Sequence, residues 1–228
     1  MKSSSPIREM FDALVPEYDR FNRISSLGLD QAWRRELARM FNSNSSILDV
    51  GTGTGDLAKE LLSKGCSVVG VDFSEPMIEA AQKKLGSNDQ IRFQVASADE
   101  LPFEPKSFDG ITSSFVLRNL NQGGILTPSL REFFRVTKPG GKMVHLELSR
   151  PPNNFLAWGH KTYLKTVLPL VGWLNFGERW PKDYLEKTIY SFPEPQQMCQ
   201  YIRWAGFNQA SYHPLIGGIA GLYVGVRC

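Results

Sequence analysis

The stretch Ile47-Leu48-Asp49-Val50-Gly51-Thr52-Gly53-Thr54-Gly55-Asp56 constrains this chain more than any other. Four residues, three of them apolar, predict a short strand. Glycines at every second position then demand a tight turn in which backbone can approach a ligand. Asp56 to Leu62 reads as a helix, stopped by Ser63-Lys64-Gly65. Strand, glycine turn and helix open a β-α-β unit, and the same rhythm continues. Val68 to Asp72 is a second strand. Ser74 caps the next helix, with Pro76 at an early position. Ile91 to Val95 and Phe108 to Ser114 are further strands. A helix from about Pro128 to Val136 is broken by Lys138-Pro139-Gly140-Gly141, and Lys142 to Leu148 is the fifth strand. Such alternation predicts a mostly parallel α/β sheet covered by helices.

Outside this core the pattern changes. In residues 1–43, Ile7, Met10, Phe11, Leu14 and Val15 recur at helical spacing until Pro16 interrupts them, and a second helix covers Asp30 to Phe41. Residues 152–192 are rich in Trp, Tyr, Phe and Pro, with weak periodicity. A helix (Gln196 to Ala205) and two strands (about Gln209–Pro214 and Ile219–Val226) close the sequence. The 228 residues suit one domain in four parts. These are a helical lid (1–43), a cofactor-binding core (44–150), an aromatic acceptor or lid insertion (151–195), and a final helix with a strand pair (196–228).

Composition removes several functions. A net charge of +3 without a basic stripe argues against nucleic acid. Arg34-Arg35 and Lys83-Lys84 read as solvated helix faces. Cys66, Cys199 and Cys228 are odd in number and widely spaced, which fits neither a disulfide framework nor zinc and points to a reduced, cytoplasmic setting. The polar start Met1 to Pro6 does not read as a signal peptide. No segment reaches the roughly 18 apolar residues needed to span a bilayer.

The glycine spacing selects the ligand. A dinucleotide turn reads G-x-G-x-x-G and leaves room for pyrophosphate. This one reads G-x-G-x-G between Asp49 and Asp56. Flanking carboxylates repel a pyrophosphate but suit an ammonium and a sulfonium, both present in S-adenosylmethionine. Asp72 closes the second strand, where a carboxylate accepts from both ribose hydroxyls. Asp99 follows the third strand, placed to accept from the adenine amino group. Asp56 also reads as a helix N-cap. The full cofactor set is Asp49, Gly51, Thr52, Gly53, Gly55, Asp56, Asp72, Phe73, Ala98, Asp99 and Ser114.

Four motifs carry a family resemblance over nearly the whole chain. They are Tyr18-Asp19-Arg20-Phe21-Asn22 with Ser26, Gly28 and Trp33-Arg34; Asp49 to Leu57; Ser114-Phe115-Val116-Leu117-Arg118-Asn119; and Arg135 to Gly141 continuing to Glu147-Leu148-Ser149. In these the sequence resembles the menaquinone and ubiquinone biosynthesis C-methyltransferases. The resemblance implies a Rossmann-like class I methyltransferase fold: a seven-stranded sheet, helices on both faces and an antiparallel C-terminal strand. It implies S-adenosylmethionine as methyl donor, no metal, and a prenylated quinol as acceptor. That acceptor is demethylmenaquinol or a 2-methoxy-6-polyprenyl-benzoquinol, with the naphthoquinol favoured. Departures are Asp30 where the family often has His, an insertion around Gly123-Gly124 to Thr127, and Trp180-Pro181-Lys182-Asp183 before Tyr184.

The chemistry needs alignment of carbon, methyl and sulfur, and loss of a ring hydroxyl proton. Arg118 and Asn119 follow the fourth strand at the carboxyl edge of the sheet, where ligands bind. A guanidinium is too weak an acid to serve as a base, so Arg118 reads as a stabiliser of a developing phenolate, or as a structural ion pair. Asn119 reads as a holder of a quinol oxygen or a turn residue. Tyr18 joins them as a catalytic candidate, and with Asp19 and Asn22 reads as a lid or a local cap network. His145 reads as a core histidine, Glu147 as pocket-facing or structural, and His160 and His213 show no partner pattern. The stretch Phe155 to Phe192 offers a place for a prenyl tail. Within it, Val167 to Leu174 reads as a peripheral membrane contact or a buried cap on the sheet. The homo-oligomeric state stays open. Competing readings are a methyltransferase for a sterol, a tocopherol precursor or a soluble metabolite; a non-catalytic S-adenosylmethionine-binding protein; and, against the glycine spacing, a nicotinamide oxidoreductase.

Overall fold

The computed structural model describes residues 6–86, 88–180 and 183–228, the side chains of 6 and 7 excepted. The start Met1 to Ser5, the Ile7 side chain and the Pro181-Lys182 pair therefore lie outside the described residues. The chain opens with α1 (Pro6–Leu14), α2 (Tyr18–Ser25) and α3 (Leu29–Arg39). It then alternates through β1 (Ser46–Val50), α4 (Asp56–Ser63), β2 (Ser67–Asp72), α5 (Glu75–Leu85), β3 (Ile91–Val95) and β4 (Phe108–Ser114). Next come α6 (Leu117–Gln122), α7 (Leu126–Val136), β5 (Thr137–Leu148), α8 (Asn154–Phe176), α9 (Tyr184–Ser191), α10 (Pro195–Trp204), β6 (Ser211–Leu215) and β7 (Ala220–Val226).

The seven strands lie in the order β3-β2-β1-β4-β5-β7-β6. Pairs among β1 to β5 are parallel, whereas β7 runs antiparallel to both β5 and β6. The expected seven-stranded sheet with an antiparallel C-terminal strand is present. Adjacent residues of β1 show why it sits centrally: Ile47 packs into one hydrophobic cluster and Leu48 into the other, and both are fully buried. A strand covered on both faces requires such a continuous apolar run. The order reverses between β1 and β4, so a crevice opens beyond their carboxyl ends.

Three elements differ from the sequence reading. β5 starts at Thr137 and runs through the Gly140-Gly141 break, because the Gly140 amide donates to the Arg227 carbonyl and stays in the ladder. Arg118 and Asn119 sit in the first turn of a short helix, α6, rather than in a loop. The weakly periodic aromatic stretch holds a 23-residue helix, α8, capped by Asn153. Its buried side carries Leu164, Leu168, Gly172 and Phe176, while Phe155, Trp158, Leu170, Trp173 and Leu174 are exposed opposite. A helix apolar all round has no readable period. The helix packs chiefly on α2 and α9, so Val167 to Leu174 is not a cap on the sheet. With α1 and α2 it builds a third core of Leu14, Phe21, Leu164, Leu168, Phe176 and Trp180.

Candidate active site: two cavities and a shared wall

The turn after β1 is made by Gly51 (φ 65°) and Gly53 (φ 54°), a backbone region that L side chains rarely enter. A Cβ on Gly51 would meet Val116 at 2.5 Å, whereas one on Gly53 would meet nothing within 4 Å. The space before Gly53 is therefore free for a ligand. The Gly53 amide donates to Asp72 Oδ2 at 2.9 Å, and the Ser74 amide donates to Oδ1 at 3.0 Å. These bonds fix the carboxylate that closes β2 beside the turn. Asp49 lies fully buried behind it, with Oδ2 accepting from Thr52 Oγ1 at 2.7 Å and Oδ1 without a partner among the described residues.

Burial raises the Asp49 carboxyl to about 7 and that of Asp72 to about 6. Neither carboxyl has a salt-bridge partner among the described residues. A site with two desolvated acids, one of them holding an orphaned oxygen, lacks positive charge. S-adenosylmethionine supplies an ammonium and a sulfonium together with ribose donors, so the donor set fits it.

The crevice here has a volume of about 60 Å³. Gly51, Gly53, Asp72, Phe73, Ala98 and Ser114 line it, as do Tyr18 and Asn119. Asp49, Thr52 and Gly55 stand behind the lining. Asp99 is also off the wall: its carboxylate accepts from Ser97, and Ser97 and Ala98 form the surface there. The N-cap reading of Asp56 is corrected, since Gly55 (φ 85°) holds that position. The Asp56 carboxylate pairs instead with Lys84 and Arg23.

A second cavity, of about 380 Å³, lies between the N-terminal helices and α8. Its walls are largely apolar, with Met10, Leu14, Phe21, Leu164, Leu168 and Trp180 among them. Four residues line both spaces: Phe11, Tyr18, Phe115 and Asn119. Phe11 contacts Tyr18, Phe73 and Tyr184 edge-on at centroid distances of 6.2, 6.3 and 6.4 Å. Phe115 has φ 63° and its amide is pinned to the Leu146 carbonyl at 2.8 Å, a held strain that turns its ring into the shared wall. Asn119 Oδ1 accepts from the Tyr184 hydroxyl at 3.0 Å. Burial raises the Tyr18 phenol above its ordinary range and pushes that of Tyr184 up to about 12, so both remain protonated donors at neutral pH.

Arg118 lines the larger cavity and is 3% exposed. Its Nε bonds Glu147 Oε1 at 2.6 Å and its Nη1 bonds Thr188 Oγ1 at 2.6 Å, leaving Nη2 without a partner among the described residues. The structural ion pair and the cavity-facing position are both present in one residue. Glu147 is accordingly a partner within the fold. His145 is a core histidine, stacked on Phe133, bonded to Ser113 and held by burial at about 3.

The solvated reading of Arg34 is overturned. Arg34 is 4% exposed, pairs with buried Asp30, donates to Ser114 Oγ at 3.3 Å and lies 5.2 Å from the Phe115 ring centroid. The i, i+4 spacing of Asp30 and Arg34 was the available signal. Lys84 likewise binds Asp19 and Asp56. Asp19 also accepts from Thr54, tying α2 to the glycine turn. Phe11, Phe115, Tyr184 and Thr188 were not individual site candidates in the sequence reading. Only the place of Phe115 inside a motif pointed to it.

The strand order, the glycine turn and the acid closing β2 define the class: the fold of the class I S-adenosylmethionine-dependent methyltransferases. A SAM-dependent methyltransferase from Thermotoga maritima shares it, with a TM-score of 0.66 over 96% of this chain and 99% of that one, at 17% identity. The chain belongs to the ubiE/COQ5 methyltransferase family, whose model matches residues 1–227. It is 38% identical to a demethylmenaquinone methyltransferase of Deinococcus radiodurans, over 96% of this chain and 91% of the relative. It is also 38% identical to the ubiquinone/menaquinone biosynthesis C-methyltransferase UbiE of Geotalea daltonii, over 97% and 96%.

Proposed function

We propose that the chain transfers a methyl group from S-adenosylmethionine to a ring carbon of a prenylated quinol, demethylmenaquinol first, with 2-methoxy-6-polyprenyl-benzoquinol as a second acceptor. One observation carries this reading: an apolar cavity of about 380 Å³ meets the crevice that holds Asp72 and the glycine turn at a wall of Phe11, Tyr18, Phe115 and Asn119. An acceptor with a flat ring and a long hydrocarbon tail matches the larger space, where each buried CH₂ contributes about 0.8 kcal/mol.

S-adenosylmethionine supplies an electrophilic methyl on sulfur. The chain does the rest. Asp72 holds the ribose, and the anionic field of Asp49 favours the ammonium. Ser97 and Ala98 bound the adenine end, with Asp99 holding Ser97 from behind, while Gly55, Thr52 and Asp56 keep the turn in shape. On the acceptor side, the Tyr18 phenol and Asn119 amide donate to the ring oxygen beside the methylated carbon. Glu147 offsets much of the Arg118 charge, so Arg118 contributes chiefly through its unpaired Nη2, directly or through one water. The N-terminal helices α1 to α3 act as a lid, fastened to the core by Asp19 on Thr54 and Lys84.

Incubation with methyl-labelled donor and the two quinols side by side tests the reading. Label on the naphthoquinol ring carbon is expected. Label appearing only in sterols or soluble metabolites, or donor binding without transfer, would overturn it.

The exposed side of α8 supports peripheral contact with a membrane that holds such a tail. Phe155 is 81% and Trp158 67% exposed, beside Lys161 and Lys165, which suit anionic headgroups. No helix among the described residues is long and apolar enough to cross a membrane. Flotation with anionic vesicles should retain the wild type and lose Trp158→Ser/Trp173→Ser; a dimer in light scattering, with no vesicle binding, would assign the face to a second copy.

A further inference from the structure

His160 breaks a pattern in α8. Leu164, Leu168, Gly172 and Phe176 follow it at four-residue spacing along the buried side of the helix, so an apolar residue is expected at 160. Instead an imidazole stands there, 8% exposed, lining the larger cavity. Its Nδ1 is buried and has no partner among the described residues. Asn22 Nδ2, Trp33 Nε1 and Trp180 Nε1 on the same walls are likewise buried without a partner among the described residues, but each is a donor, whereas an imidazole nitrogen can also accept. Further neighbours are satisfied internally. Tyr163 donates to the Ser25 carbonyl at 2.7 Å, Tyr184 to Asn119, and Asp30 accepts from Ser26 at 2.9 Å. A buried polar side chain left unpaired amid leucines is unfavourable unless something else completes it.

We propose that His160 binds a ring hydroxyl of the acceptor, the one on the far side of the ring from Tyr18 and Asn119. This rests on the quinol reading and names the second point of contact within that same cavity. A hydroquinone carries oxygens on opposite edges. Asn119 on α6 and His160 on α8 belong to different walls, so the ring is held at both ends and turned to offer one carbon to the crevice. Burial keeps the imidazole below its ordinary range, hence neutral, with one nitrogen free to accept a hydroxyl proton and the other able to donate. Tail packing alone would leave the ring free to rotate about its long axis, so this contact sets which carbon is methylated.

The test compares His160→Phe, which keeps ring and volume, with His160→Asn, which returns a polar atom near Nδ1. A short-tailed demethylmenaquinol is the probe, and donor affinity by calorimetry is the check on folding. For His160→Phe the acceptor KM should rise about tenfold, with kcat within about twofold and donor affinity unchanged. Asn should restore the KM to within about threefold. An unchanged acceptor KM in His160→Phe, while the wild type turns over, refutes the subsite alone. So does a parallel fall in kcat and donor affinity that Asn does not rescue, which marks a merely structural residue. A wild type that methylates no quinol defeats the quinol reading and the subsite together.

Discussion

The two cavities are built on different terms. The donor crevice is built around one contiguous stretch, β1 and its glycine turn, with additions from the ends of neighbouring strands and from Phe11, Tyr18, Met77 and Leu120, and the groups that select its ligand are carboxylates and backbone amides at or just behind a largely apolar lining. The acceptor cavity is assembled from α1, α2, α3, α6, α8 and the β6–β7 connection, which are far apart in sequence, and its walls are apolar. A local motif held by a rigid sheet edge fixes the donor; distant helices that pack as a separate core shape the acceptor. The donor side should therefore respond to single charges, and the acceptor side to packing and to a few isolated polar atoms.

The largest effect should come from the buried ion pair beside the acceptor cavity. Arg118→Met leaves Glu147 unpaired at 0% exposure and should destabilise the chain by about 3–5 kcal/mol in chemical denaturation. Arg118→Met/Glu147→Gln should recover much of that. A double variant no better than the single would show that the pair is not the source.

Asp72→Ala comes next. Loss of a charged acceptor for the ribose should weaken S-adenosylmethionine by about 100-fold in calorimetry, leaving quinol binding intact. Equal losses on both sides would break the separation of the two cavities.

The pH response is a third, smaller effect. Asp49 and Asp72 have folded-state values raised to about 7 and 6 from an ordinary 3.8. Their protonated forms stabilise the fold fully below about pH 4, and that contribution is lost as pH rises through 6 to 7. Relative to Asp49→Asn, the ligand-free wild type should lose on the order of 2 kcal/mol between pH 5 and pH 8. The cationic donor should reverse the trend, giving a Tm increase that grows with pH. A pH-independent increase would place Asp49 away from the donor's charge.

Tyr18→Phe is the mildest change. Removing one phenolic donor from the shared wall should lower kcat about tenfold with little change in either KM. A rise confined to the donor KM would move Tyr18 wholly into the crevice.

The same contrast explains what could be read from sequence. β1, the glycine turn and Asp72 were legible because strand, turn and acid follow one another with fixed spacing, and the alternation that followed gave the sheet. α8 was hidden because its two sides are both apolar, one for Leu14 and Phe21 and the other facing outward. Arg34 looked solvated because Ser114 and the Phe115 ring become its neighbours only after α3 docks on the sheet edge; Asp30, one turn earlier on α3, was the one partner within reach of the sequence. Asp56 looked like a cap because the αL geometry of Gly55 is invisible in letters. Arg118 and Asn119 were placed correctly at the end of β4, but Thr188 and Tyr184, which hold them, lie some seventy residues away.

The central claim is that donor and acceptor occupy separate spaces meeting at Phe11, Tyr18, Phe115 and Asn119. A crystal structure with S-adenosylhomocysteine tests it most directly. The account expects the ribose on Asp72, the amino group on the Asp49 side of the glycine turn, and the sulfur beside Phe115 facing the larger cavity. A nucleoside lodged among Leu164, Leu168 and Trp180, with the crevice at Gly53 closed, would contradict it.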